Sequence, residues 1–402
     1  MNETMDTTVR KAIFGAMLRG ALVGLLLFAV FAAGWFVRGE FVRPGVVSAK
    51  ASYLLLNEVQ SYLDQDYVHD QPPQKQLEYG AITGLLATLN DKYTFFVPPV
   101  VAKNESNALA GEYGGIGVEI SRDGQGNFLL SPYPDSPAIK AGVKEGDRLI
   151  KVADKDVTPA SNQDDVQQAM RGEVKSGNGV TITVVHPGDA GTQATFTIAF
   201  ANIQVPSVLW HVLNEAPTIG YIKIKEFTSR TPDELQTALK DLRSQNITST
   251  VLDLRNNPGG LLDESIKVAS QFLDGGPVLY EQTRGESKTY TAEGSGLMRD
   301  LPLVILINNG TASAAEVVAG ALQDRNRATL IGQTSYGKGS VQLIIPLSDG
   351  SSLHVTTAEW LTPNRISLNS NGLKPNVPMI PDPKGADVEL AEAIRVLRDH
   401  KT

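Results

Sequence analysis

Apolar residues recur along this chain with several different spacings, and the changes of spacing divide it. From Gly20 to Val37 the run is uncharged and strongly apolar for 18 residues. As a helix it would extend roughly 27 Å, close to the hydrocarbon thickness of a bilayer. From about Ala51 to Asn90 the spacing becomes helical. Leu54, Leu55, Val59, Tyr62 and Leu63 share a face, Pro72 and Pro73 break the run, and Leu77, Ile82, Leu85, Leu86 and Leu89 resume it. The two amphipathic helices this predicts can cap a core or mediate self-association, and the sequence does not choose. From about Gly111 to Phe200 short β-type runs alternate with glycines. Gly114 to Ile120 reads as a glycine-rich turn leading into a strand, with a helix near Asn162 to Met170 and a strand Val180 to His186.

The last 200 residues alternate strand and helix patterns. Strands are expected at Tyr221 to Phe227, Thr250 to Leu254, Val304 to Ile307, Ala328 to Ile331, Val341 to Leu347 and Leu353 to Thr357. Helices are expected at Thr231 to Asn246, near Asp263 to Leu273 and Ala314 to Asp324, and over the tail from Ala386 to Asp399. Thr231 with Glu234 reads as a capping box at the first of them. Alternation of this kind implies an α/β layer architecture with a mixed sheet.

The flanks of the first apolar run set its direction. Arg10, Lys11 and Arg19 precede it, so the positive-inside rule keeps the N-terminus cytoplasmic and exports the rest. A retained anchor in a bacterial-type cytoplasmic membrane is the expectation, with the lipid bilayer as a partner; a cleaved export signal is the competing reading. At 402 residues, 42% of them hydrophobic, the chain can fill two or three domains. Its net charge of -8 and the lack of a long basic run argue against nucleic acid as a partner. The absence of cysteine excludes disulfides, thiolate catalysis and Cys-based metal sites. The five histidines, His69, His186, His211, His354 and His400, stand in no metal-site spacing and are assigned structural roles.

Three segments can carry chemistry. In Asn308-Asn309-Gly310-Thr311-Ala312-Ser313-Ala314-Ala315-Glu316 an apolar strand ends in small polar residues and turns directly into a helix. A hydroxyl at such a turn projects from the sheet edge, and the first free N–H groups of the helix point at the oxygen it would attack. Ser313 with Glu316 is equally an ordinary capping box. In Thr334-Ser335-Tyr336-Gly337-Lys338-Gly339-Ser340-Val341-Gln342 a lysine sits between two glycines in a tight connection. A lysine serves as a base only if burial keeps it neutral, and Gln342 offers a partner that adds no charge. In Asp253-Leu254-Arg255-Asn256-Asn257-Pro258-Gly259-Gly260 two glycines follow a strand and can present bare N–H groups to an oxyanion.

Together these segments resemble the carboxyl-terminal processing proteases, also called tail-specific proteases. The resemblance rests on Gly310 to Ala314, Tyr336 to Gln342 and Asp253 to Gly260, and it extends over nearly the whole exported part. It implies Ser313 as nucleophile, Lys338 as general base and Gln342 as the residue orienting it. The oxyanion hole would draw on Ala314 N–H and on Gly259 or Gly260. The glycine-rich middle looks like a PDZ domain whose Gly115-Ile116-Gly117-Val118 loop would bind a peptide carboxylate. Arg171, at the end of its helix, would couple tail binding to the protease core. The sequence departs from the family pattern at Asn90-Asp91-Lys92-Tyr93-Thr94, at Thr362 to Ile366 and at Pro375-Asn376, all expected to lie away from the chemistry.

The expected architecture is therefore an anchor within 1–47 (a single transmembrane helix at 20–37), a helical segment 48–110, a small β-rich PDZ domain 111–200 and an α/β protease core 201–402. The expected activity is an endopeptidase acting on proteins with exposed C-termini through an acyl-enzyme, without cofactor or metal, and with self-association left open. A catalytically idle PDZ scaffold is the rival from another class. A coenzyme-dependent acyl transferase or hydratase on a similar layer is the second rival.

Overall fold

The structure, a computed structural model, describes residues 53–399 except 190 and 295. It forms two compact units, one ending at Gln74 and one beginning at Lys75. The first holds the helix Leu54–Asp66, whose Asp64 accepts from Gln60 at 2.7 Å and from Gln71 at 3.1 Å. Its apolar positions Leu54, Leu55 and Tyr62 are exposed.

The second unit is built on a six-stranded sheet. Its order is Val208–Leu213, Ala216–Ile224, Ser249–Asp253, Leu303–Ile307, Thr329–Gly332, Val377–Pro378. The first pair is antiparallel and the others parallel. Ser249–Asp253 and Leu303–Ile307 are buried at every position. That is why they read as unbroken apolar runs: parallel strands are covered on both faces. Alternate residues serve the two faces. Leu303, Ile305 and Ile307 join a core with the helices Thr231–Ser244, Leu262–Ser270 and Ala314–Asp324. Val304 and Leu306 pack with Ala393, Ile394 and Leu397 of the tail helix Val388–Asp399.

A second, antiparallel sheet contains Phe95–Val97, Ser340–Pro346, Pro277–Gln282 and Ser287–Thr291, arranged about the long strand Ser352–Leu361. The glycine-rich middle forms its own antiparallel sheet, Val118–Arg122, Phe128–Pro132, Asp147–Val152, Gly179–Val185 and Gln193–Ala199, with a separate core around Phe128, Leu130 and Ile182. The chain enters and leaves it through a two-stranded ribbon, Glu112–Gly115 against Ala201–Gln204. A helix beyond the two read individually in the 48–110 helical segment, Pro99–Leu109, leads into that ribbon.

Two expectations are corrected. The fold class included a single transmembrane helix. Among the described residues no helix is long and apolar enough to cross a membrane. The longest have 14 residues, about 21 Å at helical rise, against a hydrocarbon core of about 30 Å. The run on which that expectation rested, 20–37, lies outside the described residues. The capping box of Thr231 and Glu234 also does not form. The helix is entered through Arg230, Thr231 donates to Ser207 Oγ at 2.8 Å, and Glu234 reaches across to accept from the Ser207 N–H at 2.7 Å. Both side chains reach the neighbouring strand, while Thr231 Oγ1 also accepts from the Thr228 N–H at 2.8 Å and Glu234 pairs with Arg230 at the helix entry.

The junction between the sheet and the tail helix depends on charge. Asp253 is wholly buried and accepts from the Arg255 guanidinium at 2.7 Å and from the Tyr221 hydroxyl at 2.6 Å. Arg255 also binds Asp387 at 2.7 Å, and these carboxylates hold its guanidinium above the ordinary range against the cost of burial. Removing one partner of a buried pair strands the other's charge. Arg255→Ala should therefore destabilise the protein by about 3 kcal/mol or more, read as a lower urea midpoint with an unchanged slope.

Candidate active site

The three chemistry-bearing segments follow the C-terminal ends of three neighbouring parallel strands, Ser249–Asp253, Leu303–Ile307 and Thr329–Gly332. Loops at that edge of an open parallel sheet converge, which is where such sheets place their sites. Cross-links fix the convergence. Asn308 accepts from the Asn256 N–H at 2.8 Å and donates back to Asn256 Oδ1 at 2.9 Å. The Thr311 hydroxyl donates to Leu254 O at 2.8 Å, and the Tyr336 N–H to Thr311 O at 2.9 Å.

Ser313 caps the helix Ala314–Asp324 with φ 55° and ψ -119°. For a residue bearing a Cβ this left-handed backbone costs of order 1–3 kcal/mol, and it persists only where the surroundings enforce it. The main enforcer is Glu316, which is wholly buried. Its Oε2 accepts from the Ser313 N–H at 2.8 Å and the Lys338 N–H at 2.9 Å. Its Oε1 accepts from the Gly337 N–H at 2.8 Å and the Ser335 hydroxyl at 2.5 Å. One carboxylate thus ties the serine turn to the lysine loop. The capping-box spacing made Glu316 visible in the sequence, but only as a helix cap.

Lys338 is pinned by its backbone on both sides, since its carbonyl also accepts from the Trp360 indole at 3.0 Å. Gly337 next to it has φ 85°, and a Cβ there would stand 2.8 Å from Gly372 N, so the tight turn admits only glycine. The Lys338 side chain is half-buried and its Nζ lies 5.4 Å from the centre of the Tyr93 ring. Among the described residues the amine makes no ion pair or hydrogen bond. Burial pushes it below the ordinary lysine value, while the carboxylates of Glu105 and Glu316 act in the opposite direction.

Ser313, Ala314, Gly260, Lys338 and Gln342 line one cavity of about 300 Å³. The rest of its wall is largely apolar, including Leu261, Val317 and Trp360. The two glycines of the Asp253 to Gly260 turn differ. Gly259 is buried, its N–H donates to Asn257 Oδ1 at 2.9 Å, and with φ 105° a Cβ would stand 2.7 Å from Ser313 Cβ. Gly260 is exposed to the cavity, and its N–H, like that of Ala314, has no acceptor among the described residues. Gln342 donates to Ser340 Oγ at 2.8 Å, not to the lysine.

The Gly115 to Val118 loop lies in the other β domain, away from this cavity. Ile116, Gly117 and Val118 are buried, Gly117 O accepts from the Tyr133 N–H at 2.9 Å, and the Gly117 N–H has no partner among the described residues. Arg171 stands at a second cavity of about 200 Å³, between the β ribbon and the core residues Lys225, Glu226 and Thr228. Its guanidinium lies 4.4 Å over the Tyr113 ring, and its backbone bridges to Gly115.

Three residues reach the Ser313 cavity region that sequence reasoning did not bring there. Tyr93 belongs to a motif expected to lie away from the chemistry, and the strand Phe95–Val97 carries it beside Lys338. Glu105 arrives on the helix Pro99–Leu109, and His354 on the strand Ser352–Leu361. Their separation from Ser313 in the chain leaves no local signal.

Residues 218–379 match peptidase family S41, and residues 128–176 match the PDZ domain. The chain is 36% identical over 390 residues to the carboxy-terminal-processing protease of Bartonella bacilliformis, across 91% of this chain and 87% of that one. It is 33% identical over 343 residues to a chloroplastic C-terminal processing peptidase of Tetradesmus obliquus, across 81% and 73%. An S41 family structure from Bacteroides fragilis, 18% identical, aligns over 85% of this chain and 97% of that one with a TM-score of 0.55, a likeness of fold alone. The chain belongs to peptidase family S41, among the carboxy-terminal-processing proteases, and is a serine peptidase carrying a PDZ domain.

Glu316→Gln tests the tie between the loops. An amide there would turn its NH2 toward donors and leave at least one backbone N–H group without an acceptor, at about 1–3 kcal/mol. Loss of alignment should lower kcat/KM by roughly 10²-fold, with the fold retained by circular dichroism.

Proposed function

We propose that the enzyme cleaves its substrates by a Ser–Lys mechanism. The neutral Lys338 amine takes the Ser313 proton as Oγ attacks the scissile carbonyl. The oxyanion is received by the N–H groups of Ala314 and Gly260, rather than Gly259, whose N–H is already engaged. Lys338 then passes its proton to the departing amine, leaving the acyl group as an ester on Ser313. Water attacks the ester, giving its proton to Lys338, and the amine returns it to Ser313 Oγ. Gln342, its amide nitrogen held by Ser340, offers its carbonyl oxygen to the lysine without adding charge.

The observation that carries this reading is one cavity holding a serine in a left-handed backbone at a helix start and an unpaired lysine amine lowered by burial. The carboxylate of the substrate's C-terminus is assigned to the Gly115-Ile116-Gly117-Val118 loop. There the Gly117 N–H is open and the strand Val118–Arg122 pairs on one side only, leaving an edge for an added strand. Arg171, between that loop and the core, is the coupling residue.

Hydrolysis of a peptide with an apolar C-terminus, compared between wild type and Ser313→Ala, tests the nucleophile. Activity should vanish in the variant, and equal rates would end the proposal. The pH dependence tests the base. Only the uncharged amine accepts a proton, so kcat/KM should fall as pH drops through its pKa. Because burial lowers that pKa, the acid limb should lie below the ordinary lysine value of about 10.4, and Lys338→Ala should lose the activity.

A further inference from the structure

Two titratable side chains line the Ser313 cavity and have no part in that mechanism, Glu105 and His354. His354 Nε2 lies 3.0 Å from Glu105 Oε2. The imidazole is 6% exposed and the carboxylate 35%. The ring is fixed from two directions. It stacks on Phe95 with centroids 4.4 Å apart, and the two residues are register partners across adjacent strands. Glu105 has no such support: among the described residues its side chain has one hydrogen-bond partner, His354.

Among the described residues, charged and titratable groups on several elements surround the Lys338 amine. Glu316 faces it from the helix Ala314–Asp324, Glu105 from the helix Pro99–Leu109, His354 from the strand Ser352–Leu361 and Tyr93 from the segment before Phe95. Lys92 stands beyond, 4.7 Å over the Tyr93 ring. Of the two carboxylates, Glu316 is immobilised by four donors. Glu105 is the one free to swing, and it makes no ion pair with Lys338 among the described residues. A carboxylate that reached the amine would favour the ammonium form, which cannot take the serine proton.

We propose that His354 and Glu105 are a positioning pair, in which the imidazole anchors the carboxylate to the cavity wall and keeps it from pairing with the Lys338 amine. This rests on Lys338 acting as the general base. Helix Pro99–Leu109 supplies the side chain, and the rigid stack on Phe95 supplies the anchor. Neither residue touches the reacting atoms; the pair acts through the lysine.

The test is the pH profile of kcat/KM for the full chain. His354→Phe keeps an aromatic ring on Phe95 but releases Glu105. Its acid limb should move up by about one pH unit, or about tenfold lower kcat/KM at a pH on the limb, with the alkaline plateau retained. Glu105→Gln should move the limb the other way, and the double variant should follow Glu105→Gln. A His354→Phe limb that coincides with wild type, whatever Glu105→Gln does, or a His354→Phe that lowers only the plateau, would overturn the pair. If His354→Phe does not fold, His354→Leu takes its place in the same comparison, with the same upward shift of the limb expected and an unmoved limb overturning the pair. A wild-type profile without an acid limb, or an active Lys338→Ala, would instead remove the general-base reading on which the pair rests.

Discussion

A carboxylate with no exposure is tolerated only where donors surround it, and Glu316 is surrounded by three backbone N–H groups and one hydroxyl. Those donors belong to the two loops whose relative position decides whether Ser313 and Lys338 share a cavity. The arrangement solves a problem of opposed demands. The loops need a strong electrostatic anchor, yet an anion near the lysine favours its charged form. Saturating Glu316 with donors gives the anchor while spending its charge on the backbone, and burial of the amine does the rest.

The position of the site follows from the sheet. Three adjacent parallel strands end together, and each continues into a loop that contributes one part: the glycine turn, the serine turn and the lysine loop. The second sheet and the helix Pro99–Leu109 then wall the cavity and bring in Phe95, Glu105 and His354. The PDZ domain is attached through the two strands of one ribbon, which begins directly after that helix. Catalytic and recognition parts are thus built on separate cores joined at a narrow waist.

Much of this was legible in the sequence because it is local. The central strands announced themselves as apolar runs, and the turn chemistry of Asp253 to Gly260 and Gly310 to Ser313 identified loops at strand ends. What was not legible depends on contacts between distant segments. Glu316 looked like a helix cap because a box of this spacing serves that purpose in any helix. Its second task appears only when the loop from Ser335 to Lys338 folds over it. Thr231 and Glu234 had the same spacing and turned out to serve a neighbouring strand. Tyr93, Glu105 and His354 come from segments more than 40 residues from Ser313 along the chain, where no periodicity could point to it. The choice between the two glycines needed knowledge of which N–H was already taken, which residue type cannot supply.

Ser313 holds a backbone angle that an isolated chain would rarely visit. The contacts enforcing it come from the middle and the last quarter of the sequence. On the proposed mechanism, a ribosome-bound fragment ending before the lysine loop carries the serine and Glu316 but neither the base nor the loop that Glu316 ties to the serine turn. The same holds for a molecule whose final strands have loosened. On the proposed mechanism catalysis waits for tertiary closure, because the base arrives on a loop that Glu316 ties to the serine turn only in the folded chain.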